Sequence, residues 1–131
     1  KFGMAVLFIS HDLGVVADMA DRVAVMYSGR VVEQSDTRTI IRRAQHPYSR
    51  GLLRSIPRIE GMDHRIQPIR GMLPDGRRTM PGCAFAPRCD HVVAELCTAP
   101  GMARVLHECA AGHLVRCERH GRIWPVGSEV A

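Results

Sequence analysis

The sequence of 131 residues has no long apolar run, few aromatic residues and almost no lysine. Its longest uninterrupted apolar run is the six residues Met4 to Ile9, far short of the roughly 20 that a membrane-spanning helix needs. Aromatic residues make up 5% of the chain, and Lys1 is the only lysine. The sequence therefore predicts no helical membrane span. With 46% hydrophobic and 24% charged residues, it has the composition of one modest globular domain.

The positive charge is concentrated in the middle of the chain. Between Asp36 and Met80 there are ten arginines against four acidic residues, whereas the rest is close to neutral. Such a basic segment is most often a solvated surface. It can also bind an acidic partner, lipid headgroups or nucleic acid. Its only aromatic residue is Tyr48, whereas nucleic-acid binders usually interleave stacking aromatics with positive charge. A metal-stabilised basic module that binds nucleic acid is therefore the weaker, alternative function. Under the preferred hypothesis no nucleic-acid partner is expected.

Residues 5–35 have the pattern of an α/β fold. The continuous apolar run Ala5–Ile9 predicts a strand buried on both faces in a parallel sheet. Asp12 suits the N-terminus of a following helix. The apolar stripe of that helix consists of Leu13, Val16, Ala17 and Ala20. Ser28-Gly29 lies between two strand-like segments, Arg22–Tyr27 and Arg30–Glu33, and predicts a β-hairpin.

Two short helices are predicted next. Asp36 can cap the first, which carries one apolar face. That face consists of Thr37, Ile40, Ile41 and Ala44. Pro47 is favourable at the start of the second, which is expected to stop at Pro57. Prolines and glycines then predict turn-rich, irregular chain over residues 57–90.

All the cysteines lie within one window of 35 residues. They are Cys83, Cys89, Cys97, Cys109 and Cys117. A proline-rich segment of this kind buries little apolar surface, so a crosslink or a metal is needed to offset its ordering entropy. Disulfides require an oxidising compartment, and an odd number leaves one thiol over. Ligation of a metal by four thiolates is therefore the preferred interpretation.

The cysteine spacing bears on which metal is bound. No pair has the C-x2-4-C spacing of structural zinc sites, and the wide spacing favours an iron–sulfur cluster over a single ion. If Cys89 to Cys97 formed a straight helix, the two ligands would lie about 12 Å apart, too far for one site. The segment between them is therefore expected to bend or to end its helix early.

His11 follows the predicted strand and precedes the predicted helix. Open α/β sheets bind their ligands at this position, and a histidine there can bond a phosphate oxygen or orient a water molecule. A helix-capping or packing role for His11 is at least as compatible with its position.

Two sets of motifs resemble a known family. One resembles the end of the nucleotide-binding domain of ABC transporters, and the other is similar to the C-terminal extension of the oligopeptide/dipeptide importer subfamily. The first consists of Val6–Val16 and Asp21–Glu33. The second consists of His46–Leu53, Ile56-Pro57, Gly82–Cys89, Cys97, Pro100 and Cys117. They occur in the expected order and together cover nearly the whole chain.

The resemblance implies a fold and a set of site residues. Residues 1–56 would be a C-terminal fragment of a P-loop ABC nucleotide-binding domain of the α/β class, and residues 57–131 an irregular Cys-rich extension. His11 matches the switch histidine, which would contact the γ-phosphate of ATP and help hold the attacking water. Some family members hold a [4Fe-4S] cluster with four matching cysteines, and Cys109 lies outside that pattern. The alternative is that these cysteines form an empty or zinc-filled structural site. The matching residues are Cys83, Cys89, Cys97 and Cys117.

The resemblance also implies a function for the intact protein. It would be the ATP-hydrolysing subunit, using ATP and Mg²⁺, that energises peptide import from the cytoplasmic face of the cell membrane. Its partners would be a second ATPase subunit and transmembrane permease subunits. The sequence lacks a Gly-x4-Gly-Lys-Ser/Thr loop, a Leu-Ser-Gly-Gly-Gln signature and a strand ending in Asp-Glu. We therefore expect this chain to be inactive without the rest of the subunit.

A candidate docking face for the permease or for anionic lipid consists of five arginines. They are Arg38, Arg42, Arg43, Arg50 and Arg54.

Overall fold

The computed structural model describes residues 3–56, 68–72, 75 and 80–130. Its elements are α1 (Leu13–Met19), β1 (Arg22–Tyr27), β2 (Arg30–Asp36), α2 (Thr37–Arg43), α3 (Pro47–Arg54), α4 (Ala94–Cys97), β3 (His107–Ala110) and β4 (His113–Val115). The strands form one antiparallel sheet in the order β1-β2-β4-β3. The fold is therefore a mixture of helices and antiparallel sheet, which is compatible with the expected α/β class.

None of the helices in the described part of the chain has the length and apolar character needed to cross a membrane.

The predicted hairpin is confirmed. Strands β1 and β2 pair antiparallel, with Arg22 opposite Asp36 and Tyr27 opposite Arg30. The two turn residues Ser28 and Gly29 have φ angles of +48° and +73°. Positive φ at both central positions gives the turn a twist that matches the right-handed twist of the flanking strands.

The predicted helices are also confirmed, with their caps. The carboxylate of Asp12 accepts from the backbone N–H groups of Gly14 and Val15 at the start of α1. Asp36 accepts from the N–H of Thr39 at 2.9 Å at the start of α2. Helix α3 begins at Pro47 and ends at Arg54, earlier than expected, and the predicted stop at Pro57 lies outside the described residues.

The predicted strand over Ala5–Ile9 is wrong in this structure. These residues have no regular secondary structure, and the side chains of Leu7 and Ile9 are 95% and 97% exposed. A parallel strand is stable only when neighbouring strands accept and donate its backbone hydrogen bonds. The strands in the described part of the chain are all antiparallel and none of them pairs with this segment.

A hairpin that the sequence did not indicate lies within the Cys-rich region. Strands β3 and β4 pair antiparallel, and β4 continues the sheet by pairing with β2. Glu33 lies opposite Val115, and Gln34 lies opposite Leu114. One sheet therefore extends from the first half of the chain into the second.

The main hydrophobic cluster joins side chains of β1, β2 and α2 to Phe85. Its fully buried members are Val25, Tyr27, Val32, Ile40 and Phe85. Phe85, from the proline-rich region, packs edge-on against Tyr27 with ring centroids 5.3 Å apart. A smaller cluster joins Ala44 and Leu53 to Val130 near the C-terminus. The irregular second half is thus held to the regular first half by apolar contacts.

Candidate functional site

The first pair of candidate metal ligands is fixed by a backbone hydrogen bond. The N–H of Cys83 donates to the carbonyl of Cys97 at 2.7 Å. Gly82 makes this approach possible, because a Cβ at that position would lie 2.3 Å from the Cys97 carbonyl oxygen. The N–H of Val93 donates to Cys97 Sγ at 3.5 Å, which further fixes that thiol.

Two tight turns connect Cys83 to Cys89. The N–H of Ala86 donates to the carbonyl of Cys83 at 3.0 Å, and the N–H of Cys89 donates to the carbonyl of Ala86 at 3.2 Å. From Cys89 to Cys97 the chain is not a straight helix, because α4 begins only at Ala94. The expected early bend between these two cysteines is therefore confirmed.

Burial and mutual repulsion act on the thiols of this region. Burial raises the pKa of Cys117 to about 12 and that of Cys89 to about 11, and it also raises the pKa of Cys83. In each case, charge on neighbouring cysteines raises the pKa further. Each of the six pairs among four cysteines would repel in this way if both thiols were ionised. Those four are Cys83, Cys89, Cys97 and Cys117.

The fifth cysteine lies apart from this group. Cys109 is on β3, and its Sγ donates to the carbonyl of His113 at 3.4 Å. Burial raises its pKa first, and the nearby charges that raise it further belong to Glu33 and Glu108 rather than to cysteines. Cys109 thus differs from the four cysteines that the resemblance singled out in the charges that act on its pKa.

The four thiols do not form a site for a single small ion. Within the residues that the structure describes, no three His, Cys, Asp or Glu side chains come together closely enough to hold one. The raised pKa values of Cys83, Cys89 and Cys117 mean that their thiols carry protons at neutral pH without a metal. Metal binding to these residues would therefore release protons.

His11 is exposed immediately before α1. Asp12, and not His11, caps that helix. The imidazole of His11 makes no hydrogen bond or ion pair within the described residues. Neither a capping nor a packing role therefore uses this side chain in the structure.

One of the five arginines of the candidate docking face does not lie on the surface. Arg50 is only 2% exposed, and its guanidinium donates inward to the carbonyls of Ala44, Ser128 and Glu129 at 2.6 to 3.2 Å. It also lies over the ring of Trp124, 4.2 Å from the centroid. The buried guanidinium holds the C-terminal segment and is not available to a lipid or a protein surface.

A buried polar network was missed by sequence reasoning. Glu33 is fully buried and accepts hydrogen bonds from the backbone N–H groups of Gln45 and His46. It also lies 2.7 Å from His113 Nε2. Burial lowers the pKa of His46 to about 4, so this imidazole is neutral at pH 7. Its Nδ1 accepts from the N–H of Tyr48.

Comparison with known proteins decides the family. Residues 32–97 match the model of the oligopeptide/dipeptide transporter C-terminal region. The chain belongs to this family. A probable peptide ABC transporter ATP-binding protein of Sinorhizobium fredii is 41% identical over 128 residues, which cover 94% of the chain and 36% of that protein.

Other members of the oligopeptide/dipeptide transporter group are equally similar. The oligopeptide transport ATP-binding protein AppD of Bacillus subtilis is 42% identical, over 89% of the chain and 35% of AppD. The oligopeptide transport ATP-binding protein OppD of Mycobacterium tuberculosis is 45% identical, over 89% of the chain and 19% of OppD. The chain thus spans about a third of the length of the first two relatives and a fifth of the third.

The family model covers only some of the candidate site residues. Its residues 32–97 contain Cys83, Cys89 and Cys97, whereas Cys117 and His11 lie outside it. Cys117 nevertheless interacts with the other three thiols in the structure. The inclusion of Cys117 with the other three cysteines stays a prediction from the resemblance.

Proposed function

We propose that the chain is the C-terminal part of an ATP-hydrolysing subunit that energises the import of di- or oligopeptides. The observation that carries this proposal is its similarity, along 94% of its length, to a probable peptide ABC transporter ATP-binding protein. Residues 1–56 would end the nucleotide-binding domain, and residues 57–131 would form its Cys-rich extension. The intact subunit would pair with a second ATPase subunit and with transmembrane permeases at the cytoplasmic face of the membrane.

His11 is the catalytic and nucleotide-contacting residue in this proposal. Its imidazole would bond the γ-phosphate of ATP and hold the attacking water, and its exposure leaves it free to do so. The rest of the subunit would bind Mg²⁺ and cradle the triphosphate, because this sequence contains no phosphate-binding loop. The chain by itself would therefore not turn over ATP.

A chimeric subunit tests this role. The chain is assayed for ATPase activity alone and after replacing the matching C-terminal part of AppD from Bacillus subtilis. We expect no turnover from the chain and measurable turnover from the chimera, and His11→Ala should reduce the latter by about 100-fold or more. Asp18→Ala, at an exposed position on α1, is the matched control and should retain turnover. Turnover by the isolated chain, an inactive chimera, or a fully active His11→Ala chimera would contradict the proposal.

We further propose that Cys83, Cys89, Cys97 and Cys117 hold a [4Fe-4S] cluster. The set consists only of thiols, which suit iron–sulfur clusters, and all six pairs lie close enough to repel one another as thiolates. When bound, the cluster would crosslink the irregular segments that carry the ligands and provide a centre able to accept an electron.

Anaerobic purification tests the cluster. We expect iron and sulfide in equal amounts, with the broad visible absorption of an iron–sulfur centre. Cys117→Ser should abolish this absorption, because it removes a ligand, whereas Cys109→Ser should leave it unchanged. Zinc, or no metal at all, would contradict the proposal, and so would a cluster that survives loss of Cys117.

A further inference from the structure

A small cleft lies between helix α3, residues 68–70, residues 85–91 and Trp124. Its free volume is about 80 Å³, and its walls include Pro47, Phe85 and Trp124. Pockets for nucleotides or drug-sized molecules have several times this volume. The cleft therefore has room for one small group and not for a nucleoside or a peptide chain.

The charged side chains around this cleft are predominantly positive. They are Arg50, Arg54, Arg70, Arg88 and Asp90, and the lining also contains His91, whose pKa is lowered by burial. Arg70 forms an ion pair with Asp90, so the one acidic group of the lining is already neutralised. Arg50 and Arg88 donate to carbonyl and hydroxyl oxygens, and neither has a carboxylate partner among the described residues. The lining therefore keeps a net positive charge.

Arg54 is the cation of the cleft that remains available. It is partly buried at the end of α3, and it makes no hydrogen bond or ion pair within the described part of the chain. Burial lowers the pKa of Arg50, and the nearby charge of Arg54 lowers it further. Two guanidinium groups that repel each other beside aromatic walls would both be stabilised by an anion between or near them.

We propose that this cleft is a binding site for a single oxyanion group, a carboxylate or a phosphate, with Arg54 as its principal ligand. The guanidinium of Arg54 would donate in bidentate fashion, as arginine does to both kinds of group. Arg50 and Arg88 would contribute charge while keeping their present contacts. This proposal rests neither on peptide import nor on a metal at the cysteines.

The single tryptophan of the chain provides the measurement. Trp124 lines the cleft and contacts the Arg50 guanidinium, so its fluorescence should report an anion bound there. Inorganic phosphate and acetate are titrated separately into the full chain at constant ionic strength, with chloride as the balancing salt, and calorimetry provides a second readout. We expect saturable binding of at least one of them.

Substitutions locate the site. Arg54→Ala should weaken binding by about tenfold or more, because a charged hydrogen-bond donor is lost, and Arg54→Lys should weaken it less. Arg38→Ala removes an equal charge from an exposed position on α2 and should leave the affinity unchanged. Stronger binding of phosphate or of acetate would identify which oxyanion the cleft prefers. No saturable binding of either anion by both methods, or equal affinity in wild type and Arg54→Ala, would overturn the proposal.

Discussion

The carboxylate of Glu33 lies 2.7 Å from Nε2 of His113, and this buried contact joins β2 to β4. The same carboxylate accepts the backbone N–H groups of Gln45 and His46, which connect α2 to α3. One side chain thus links the N-terminal hairpin, the helical pair and the Cys-rich region. Because each oxygen of the carboxylate has a donor, the cost of burying its charge is offset.

Removal of this carboxylate should destabilise the whole fold. Glu33→Ala leaves two backbone N–H groups and the His113 imidazole without their acceptor, and loss of one partner from a buried pair costs about 3–5 kcal/mol. Urea unfolding followed by circular dichroism measures the change. Glu108→Ala is the control, because Glu108 is exposed and, among the described residues, accepts only the N–H of Gly112 in the turn of its own hairpin. Equal losses of stability in the two variants would contradict the role assigned to Glu33.

The sequence could not have revealed this network. Local signals were sufficient for the hairpin and the helices, because caps and turn residues act within a few positions of one another. The partners of Glu33 lie 12 residues away at Gln45 and 80 residues away at His113. A glutamate in a hairpin strand is ordinarily exposed, so only the tertiary structure shows that it is buried.

The other differences between the predictions from sequence and the structure also have physical causes. The apolar run Ala5–Ile9 has the composition of a buried strand, but a strand also needs neighbours, and the described residues provide none. Strands β3 and β4 are only four and three residues long, too short for periodicity to indicate them. Clustering of one reactive residue type in an irregular segment is a sequence signal for a shared site, and the four-cysteine site that it indicates stays a prediction.

The buried histidine at position 46 should make stability depend on pH. Burial lowers its pKa from 6.5 to about 4, although Glu33 and the carbonyl of Arg116 oppose the shift. Between these pH values the unfolded chain binds a proton that the native imidazole does not. The unfolded state therefore holds more protons in this window, and the free energy of unfolding falls as the pH falls from about 6.5 towards 4.

Asparagine at position 46 has no titratable group in this pH range but can still cap helix α3. In His46→Asn the side-chain oxygen can still accept the N–H of Tyr48, and asparagine is a favourable N-cap residue. Urea unfolding at pH 7, 6 and 5 should give a shallower pH dependence for this variant than for wild type. Parallel curves for the two proteins would show that His46 does not contribute to the pH dependence.

Arg50 should hold the C-terminal segment in place. Its guanidinium donates to the carbonyls of Ser128 and Glu129, while the N–H of Val130 donates to the carbonyl of Arg42. Arg50→Ala leaves these carbonyls without a charged donor, and we expect a loss of about 2 kcal/mol or more. Limited proteolysis should cut the segment after Trp124 faster, and Trp124 fluorescence should shift towards longer wavelength.

Arg54→Ala is the matched control for Arg50→Ala. Arg54 lies on the same helix but makes no contact with the C-terminal segment through a hydrogen bond or ion pair within the described residues. This variant should keep the wild-type rate of proteolysis in that segment. Equal protection of the segment in wild type and Arg50→Ala would mean that the guanidinium does not hold it.

Gly82 should be required for the approach of Cys83 to Cys97. A Cβ at position 82 would lie 2.3 Å from the carbonyl oxygen of Cys97 and 2.9 Å from the carbonyl carbon of Thr98. Both atoms belong to the backbone, so Gly82→Ala must separate the two segments and lengthen the 2.7 Å hydrogen bond between them. We expect a loss of stability of about 1–3 kcal/mol, as for other overpacked sites, and a lower iron content.

Gly112→Ala distinguishes this clash from a general effect of replacing glycine. A Cβ at position 112 would meet no atom within 4 Å, but its φ of +69° is strained for alanine. This variant should lose about 1 kcal/mol and keep its full metal content, because the strain lies in the β3–β4 turn, away from the four thiols. Thermal unfolding and metal analysis of both variants separate the two effects. Wild-type stability in Gly82→Ala would contradict the close backbone approach, whereas reduced stability with full metal content would mean that the approach supports the fold but is not needed for the cluster.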